Sequence, residues 1–249
     1  MKKRKRFSII VLSPILLWLF SGCVTDTASL KVEKTLPQEK LAYYNDTFDK
    51  SRTELWEKAG YIHNEAQKAN FKLGKTEAKD GKLWVQTETG CFSLGGLGSR
   101  YTIRGDFDIQ VDCHIDFQEG AYDMDQSLVF AVIGKGKEIG KDDTVSLCLL
   151  RRGGRDFSTI FSSVRQNGKL HLGNWHKTGN LVSTLYKRKE DAEWKKISSF
   201  QFLPKEVMLG FKLQNFVLNR ASITARSPVT ATFDNFRINA AEQIIEEEI

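Results

Sequence analysis

Polar side chains that could bind or cleave a ligand alternate with apolar ones along residues 106–117. Twelve residues of strict alternation predict a half-buried β-strand, because successive side chains of a strand point to opposite sides. The polar side is open to three interpretations: a solvated surface, a ligand-binding groove or a catalytic pair of carboxylates. The ligand-binding candidates on this side are Asp108, Gln110, Asp112 and His114.

A catalytic pair is the interpretation that the spacing supports least. Hydrolysis of a glycosidic bond uses two carboxyl groups, ~5–5.5 Å apart in retaining enzymes and ~6.5–9.5 Å apart in inverting ones. Asp108 and Asp112 are four residues apart, which places their Cα atoms ~13 Å apart at ~3.3 Å per residue. A catalytic pair would have to recruit a carboxylate from elsewhere, such as Asp123 or Asp125. No catalytic residue is therefore assigned on this strand.

Further binding candidates lie at an aromatic and a basic cluster. Trp175, between His171 and His176, could stack on a sugar ring. Arg152, within the segment RRGGR at 151–155, could clamp a carboxylate or phosphate. Alternative interpretations are a packed aromatic residue on a strand and a solvated turn.

Metal and cofactor sites are weakly indicated. Asp46 and Asp234 are the calcium candidates, since calcium takes oxygen ligands at roughly 2.3–2.6 Å. One acid from each of two strands is too few ligands without help from the backbone. The sequence contains no G-x-S-x-G, no H-E-x-x-H and no phosphate-binding loop, and we predict no other cofactor. The glycine-rich segment 95–98 is predicted to be a loop between strands rather than a nucleotide cradle.

The elements that would position these residues are mostly strands. Short apolar-alternating runs, separated by Gly, Asn and Asp, are typical of an all-β sandwich or barrel. Turns are predicted at Asp80-Gly81, Asn167-Gly168 and Gly179-Asn180, and one helical turn around Trp56. Besides 106–117, strands are predicted at 83–87, 127–133, 144–150, 158–164, 181–187, 195–199, 207–213 and 229–238.

The amino terminus has the pattern of an export signal. Five cations at positions 2–6 precede an apolar stretch at 7–20, which is short for a bilayer-spanning helix of ~20 residues. The following Ser21-Gly22-Cys23 resembles the lipobox of bacterial lipoproteins, in which the cysteine is acylated and becomes the first residue. We therefore predict a signal peptide at 1–22, acylated Cys23 with a tether to residue 42, a β-sandwich at 43–239 and an acidic tail at 240–249. By the same resemblance, the bilayer is a partner through Cys23, and Val24 favours sorting to the outer membrane.

Charge argues against a nucleic-acid partner. The whole chain has 37 cations and 31 acids, and residues 1–22 hold five of the cations and none of the acids. The mature chain then has 37 − 5 = 32 cations against 31 acids, a net charge of +1. Binding to nucleic acid needs a clustered excess of Lys and Arg.

Three cysteines remain after Cys23. In an oxidising compartment, one pair among Cys91, Cys113 and Cys148 could close and leave one thiol. Cys113 shares the apolar side of the 106–117 strand and is predicted to be a small buried hydrophobe. The other residues of that side, all predicted to be core, are Phe107, Ile109, Val111, Ile115 and Phe117.

Several segments resemble, in the same order, the concanavalin A-like lectin/glucanase superfamily and its bacterial sandwich domains. The resemblance covers roughly residues 43–239 and implies a jelly roll of two antiparallel sheets, one of them concave. The segments are NDTF at 45–48 followed by Trp56, DGKL at 80–83, LGSR at 97–100 leading into GDFDIQVD at 105–112, Gly179-Asn180 followed by Tyr186 and Trp194, and TFDNFRI at 232–238.

Function is predicted from what the resemblance lacks. Glucanases of the superfamily carry Glu-x-Asp-x-x-Glu, or a near variant, on one concave strand. The corresponding strand here is TVSLCLLR at 144–151, which offers Ser146 and Cys148 and no carboxylate. We predict a non-catalytic envelope lipoprotein whose sandwich binds glycan or a partner protein. The alternatives are a glycoside hydrolase or lyase with an unusual site, and a structural component without a small ligand.

Overall fold

The computed structural model describes residues 32–58, 71–117, 125–135, 143–151, 158–166, 169–172, 181–216 and 227–246. One helix, α1 (Gln38–Tyr44), precedes the strands. Within the described residues, no helix is long and apolar enough to cross a membrane. The described strands are β1 (Trp56–Lys58), β2 (Phe71–Leu73), β3 (Lys75–Lys79), β4 (Lys82–Gln86), β5 (Phe92–Ser99), β6 (Tyr101–Asp116), β7 (Asp125–Gly134), β8 (Thr144–Arg151), β9 (Ser158–Gln166), β10 (Lys169–Leu172), β11 (Leu181–Tyr186), β12 (Lys195–Gln201), β13 (Glu206–Phe216) and β14 (Thr230–Glu246).

The strands form two packed layers within one continuous hydrogen-bonded sheet. The larger sheet runs β10-β9-β8-β7-β13-β5, with β1 and β2 on the far edge of β5. The second sheet runs β6-β14-β4-β3. The two are linked where β13 begins, because Glu206 and Val207 pair with Arg104 and Ile103 of β6. A separate hairpin, β11-β12, contributes the fully buried Phe200 to the core.

The core lies between the two sheets and is centred on aromatic rings. Phe211 of β13 has no exposed surface and lies 5.1 Å, centroid to centroid, from Phe233 of β14. The Trp56 ring lies 5.2 Å from both Phe211 and Phe236. Aromatic rings bury large apolar areas and favour such tilted contacts, so this cluster holds the larger sheet against the second one.

The strand predictions are confirmed, as is one of the turns. Each of the predicted strand segments overlaps a described strand, and β6 contains most of the alternating segment. Asp80 and Gly81 both have positive φ, which is the conformation of a tight turn between paired strands, here β3 and β4. The other two predicted turns, at 167–168 and 179–180, lie outside the described residues.

Three predictions about elements are wrong. The glycine-rich segment 95–98 is part of strand β5, not a loop. Part of the expected tether is α1, in which Leu41 is fully buried, and the expected tail is largely the end of β14. In each case tertiary pairing or burial supplies free energy that the local sequence does not reveal. By contrast, the helical turn predicted around Trp56 is present, since the N–H groups of Leu55 and Trp56 donate to the Arg52 carbonyl oxygen before Trp56 begins β1.

The apolar side of β6 faces the core with one exception. Ile115 is buried, and Phe107, Ile109 and Val111 are partly buried against the core. Cys113, which we predicted to be buried, is exposed. No disulfide joins Cys91, Cys113 and Cys148, which are free thiols.

Gly96 is the glycine on which the position of β5 depends most. Its φ is +143°, and an added Cβ would lie 1.9 Å from the carbonyl oxygen of Phe211. We expect Gly96→Ala to lower the free energy of unfolding by at least ~2 kcal/mol, because backbone strain and overpacking add. Chemical denaturation measures this. Gly98→Ala is the matched control, since its Cβ would meet no atom closer than 3.9 Å, and an equal loss in both variants would contradict the assignment.

Candidate functional site

The predicted ligand-binding residues of β6 lie on the outer side of the second sheet, where they bond to β14. Asn239 donates its amide to the side-chain oxygens of Asp108 and Gln110, at 3.2 Å each. Asn235 donates to Asp112 at 3.0 Å. A cross-strand amide ladder of this kind stabilises the pairing of β6 with β14.

His114, the fourth candidate, lies beyond this ladder near the end of β6 and contacts a residue of its own strand. Its Nε2 lies 2.9 Å from Asp116, and both side chains are largely exposed. Arg152 and Trp175, the other two ligand-binding candidates, lie outside the described residues. The structure thus brings four of the six candidates onto one exposed sheet face, and their assignment to a ligand site stays a prediction.

The two calcium candidates are engaged in local hydrogen bonds. Asp46 accepts from the Phe48 backbone at 2.7 Å and from Trp56 Nε1 at 2.8 Å. Burial raises the pKa of this carboxyl, and the two hydrogen bonds oppose that rise. Asp234 accepts from the Asn235 backbone at 2.7 Å. Among the described residues, no three metal-ligating side chains of the His, Cys, Asp or Glu type come together.

The outer face of the larger sheet differs from an ordinary solvated face. We use "outer face" for the side chains of β13, β7, β8 and β9 that point away from the core. Strand alternation places them opposite Leu209, Phe211 and Leu213 of the core. Several are nonetheless buried: Lys212, Gln214, Ser127, Val129, Ala131, Ile133, Cys148 and Ser163.

Lys212 is the charged residue in the middle of this outer face. It is 4% exposed and pairs with Gly96 on one side and Val129 on the other. On the next strand, β8, Val129 pairs in turn with Cys148. Burial lowers the pKa of Lys212 to about 8, and burial likewise raises the pKa of Cys148 to about 12. A buried lysine that titrates near neutrality is the kind of group that serves in proton transfer.

A row of small residues crosses the sheet beside Lys212. Gly98, Gly210, Ala131, Ser146 and Ser163 are register partners across five neighbouring strands. Their side chains are small, so they project less from the sheet than those of the neighbouring rows.

On the other side of Lys212 lie an amide, a hydroxyl and a carboxylate. Gln214 pairs with Ser127, and its Nε2 donates to the Ser127 hydroxyl oxygen at 2.8 Å. Two residues further along β7, Asp125 shares this outer face and is partly buried. The order along the paired strands is therefore Lys212, then Gln214 with Ser127, then Asp125.

Sequence reasoning missed Lys212 and Gln214 as site residues. The signal was present, because a lysine and a glutamine interrupt the segment VMLGFKLQ at 207–214, which is otherwise apolar. Asp125 was named only as a carboxylate that a catalytic pair might recruit. Ser146 and Cys148 were correctly placed on the strand next to the site, β8.

Comparisons with known proteins give structural likeness only. No protein-family model matches the chain, and no curated protein matches its sequence. Among solved structures, a Bacillus licheniformis beta-glucanase is similar at a TM-score of 0.49 and 13% identity, over 84% of this chain and 99% of that one. A beta-1,3-1,4-glucanase (lichenase) from a mouse hindgut metagenome has a TM-score of 0.44 and 14% identity, over 79% and 98%. A structure from work on endo-acting O-glycanases of the human gut microbiota has a TM-score of 0.43 and 11% identity, over 82% and 99%.

These names correct the functional prediction. We predicted a non-catalytic envelope protein, and the similar structures are named for enzymes that cleave glycans. That main prediction is not retained, and its alternative of a glycoside hydrolase is taken up on the geometry of the site. The fold expectation is confirmed by the two antiparallel layers, their aromatic core and the strand order. The chain thus has the two-layered, mainly antiparallel β-sandwich architecture that the resemblance implied.

Proposed function

We propose that this protein hydrolyses glycosidic bonds on the outer face of its larger sheet. The observation that carries the proposal is the burial of Lys212 in the centre of that face. Burying an ionisable group is costly, and strongly shifted groups in such places concentrate at functional sites.

Lys212 is proposed to donate the proton to the departing sugar oxygen. With a pKa of about 8, its amine is mostly protonated at neutral pH and gives up the proton more readily than an ordinary lysine. The leaving oxygen takes this proton as the glycosidic carbon–oxygen bond breaks.

Asp125 is proposed to activate the attacking water. It lies on the same face as Lys212, four residues along and one strand across in the paired strands β7 and β13, so the Cα separation is ~14 Å at ~3.3 Å per residue and ~4.8 Å between strands. The ~6.5–9.5 Å separation that leaves room for a water in inverting hydrolysis requires the long lysine side chain to extend along the strand toward Asp125. The carboxylate removes a proton from that water as its oxygen bonds to the sugar carbon.

The test is incubation of the full chain, purified in detergent, with β-glucans, xylans, galactans, mucin glycans and peptidoglycan. We expect new reducing ends from at least one glycan, with inversion at the sugar carbon when early products are followed by NMR. Absence of product from every glycan would refute the proposal. Product ends that contain a new C=C double bond would show that the glycan is cleaved by elimination, with Lys212 as the base, and not by hydrolysis.

We also propose that the enzyme is held on a membrane by acylated Cys23, which lies outside the described residues. Cys23→Ala should remove the attachment site for lipid, because two or three acyl chains are needed for stable anchoring. The expected result is protein in the aqueous phase of a detergent partition, or an uncleaved precursor on a gel. Unchanged partition and unchanged mature size would contradict the lipoprotein assignment.

A further inference from the structure

Gln214 has a buried oxygen that the described protein does not satisfy. The side chain is 7% exposed, and its Nε2 is fixed on the Ser127 hydroxyl oxygen at 2.8 Å. Its Oε1 has no hydrogen-bond partner among the described residues. Buried polar atoms are almost always paired, so an orphan acceptor needs an explanation, such as a bound ligand.

The position of Gln214 suggests which ligand satisfies it. Its row of the outer face lies between the row of Lys212 and the row of Asp125. A sugar whose bond is being cleaved between these two groups would lie over Gln214. Because Ser127 holds the amide nitrogen, the orientation of the oxygen is set before the ligand arrives.

We infer that Gln214 Oε1 accepts a hydrogen bond from a hydroxyl of the sugar ring next to the cleaved bond, and so helps to set sugar specificity. The inference rests on the proposed function and deepens it. A site built to bond a hydroxyl strongly rejects analogues that lack it, since the buried acceptor is then left unpaired. Gln214 is a positioning residue in this scheme and takes no part in proton transfer.

The test is calorimetric titration with oligosaccharides, carried out on the full chain with Asp125→Asn to prevent turnover. Gln214→Met keeps the length of the side chain and removes the acceptor. We expect it to weaken binding of the preferred oligosaccharide about 10- to 100-fold. Removing the matching hydroxyl from the sugar should weaken binding to the same degree in the Gln214 protein and should have little further effect in Gln214→Met.

Asn215 supplies a matched control. It is 1% exposed and also has a buried side-chain oxygen without a partner among the described residues, but alternation places it on the inner side of β13. Asn215→Leu should leave oligosaccharide affinity within about twofold of the parent. Equal affinity of Gln214→Met and its parent, equal losses in both variants, or no binding of any oligosaccharide would overturn the inference. Binding that depends on Gln214, without cleavage by the unmutated protein, would refute the hydrolase proposal alone.

Discussion

Asp125→Asn should lower the rate of glycan cleavage by about 10²- to 10⁴-fold, since that is the usual contribution of one positioned acid or base. Lys212→Met should cause a loss of similar size. Turnover would be measured as reducing ends released from the best substrate at saturation. The double variant should be little worse than either single one, because the two groups act in one step.

The control for this prediction is Asp108→Asn. Asp108 is an exposed carboxylate that accepts from Asn239 on the other sheet, away from the proposed site. Its loss should change the rate by less than about twofold. The pH profile gives a second check, because a rate that depends on protonated Lys212 falls as the pH rises through about 8. Loss of activity in Asp108→Asn, with full activity in Asp125→Asn, would place the chemistry on the second sheet and contradict the prediction.

Lys212 should contribute stability that grows as the pH rises from about 8 to 10.5, while buried thiols such as Cys148, whose pKa is raised, contribute in the opposite direction. Burial lowers its pKa from the ordinary 10.5 to about 8, so the folded chain loses this proton first. The unfolded chain then binds more protons in this window, and the free energy of unfolding increases with pH. The full increase corresponds to about 3 kcal/mol, at 1.36 kcal/mol per pKa unit.

The same argument predicts that Lys212→Met removes this contribution to the pH dependence of stability. Denaturant titrations at pH 7, 8, 9 and 10 would compare the unmutated protein with Lys212→Met and with a control, Lys205→Met. Lys205 is exposed just before β13, so its replacement should leave the pH dependence in place. The lysine's contribution is the difference in the free energy of unfolding between the unmutated protein and Lys212→Met, and a difference that stays constant from pH 7 to 10 would contradict the assignment.

The sequence by itself determined the strands and the class of the fold. Alternation of period two in residues 106–117, and similar short runs after it, depends on neighbours in the chain, so it can be read without coordinates. The same holds for Asp80-Gly81, where both residues adopt positive φ. The resemblance of ordered segments then implied the two-sheet arrangement that the structure has.

Pairing between distant strands was decided only by the tertiary structure. The glycine-rich segment 95–98 reads locally as a loop, yet it pairs with residues 210–213 of β13, more than a hundred positions away. Gly96 permits that pairing, since any side chain there would strike the Phe211 carbonyl. Part of the expected tether became α1 for a related reason: Leu41 gains its burial from the core formed by the rest of the chain.

The candidate site was likewise a product of the tertiary structure. Asp108, Gln110, Asp112 and His114 were visible in the sequence because they share one strand, and the structure places them on the exposed side of the second sheet. Lys212, Gln214 and Asp125 come from two strands whose register no local pattern specifies. The lysine was unremarkable as a residue type, and only its burial between Gly96 and Val129 lowers its pKa toward neutrality. Burial is set by the whole fold, so the chemistry of this face became apparent only when the sheets were assembled.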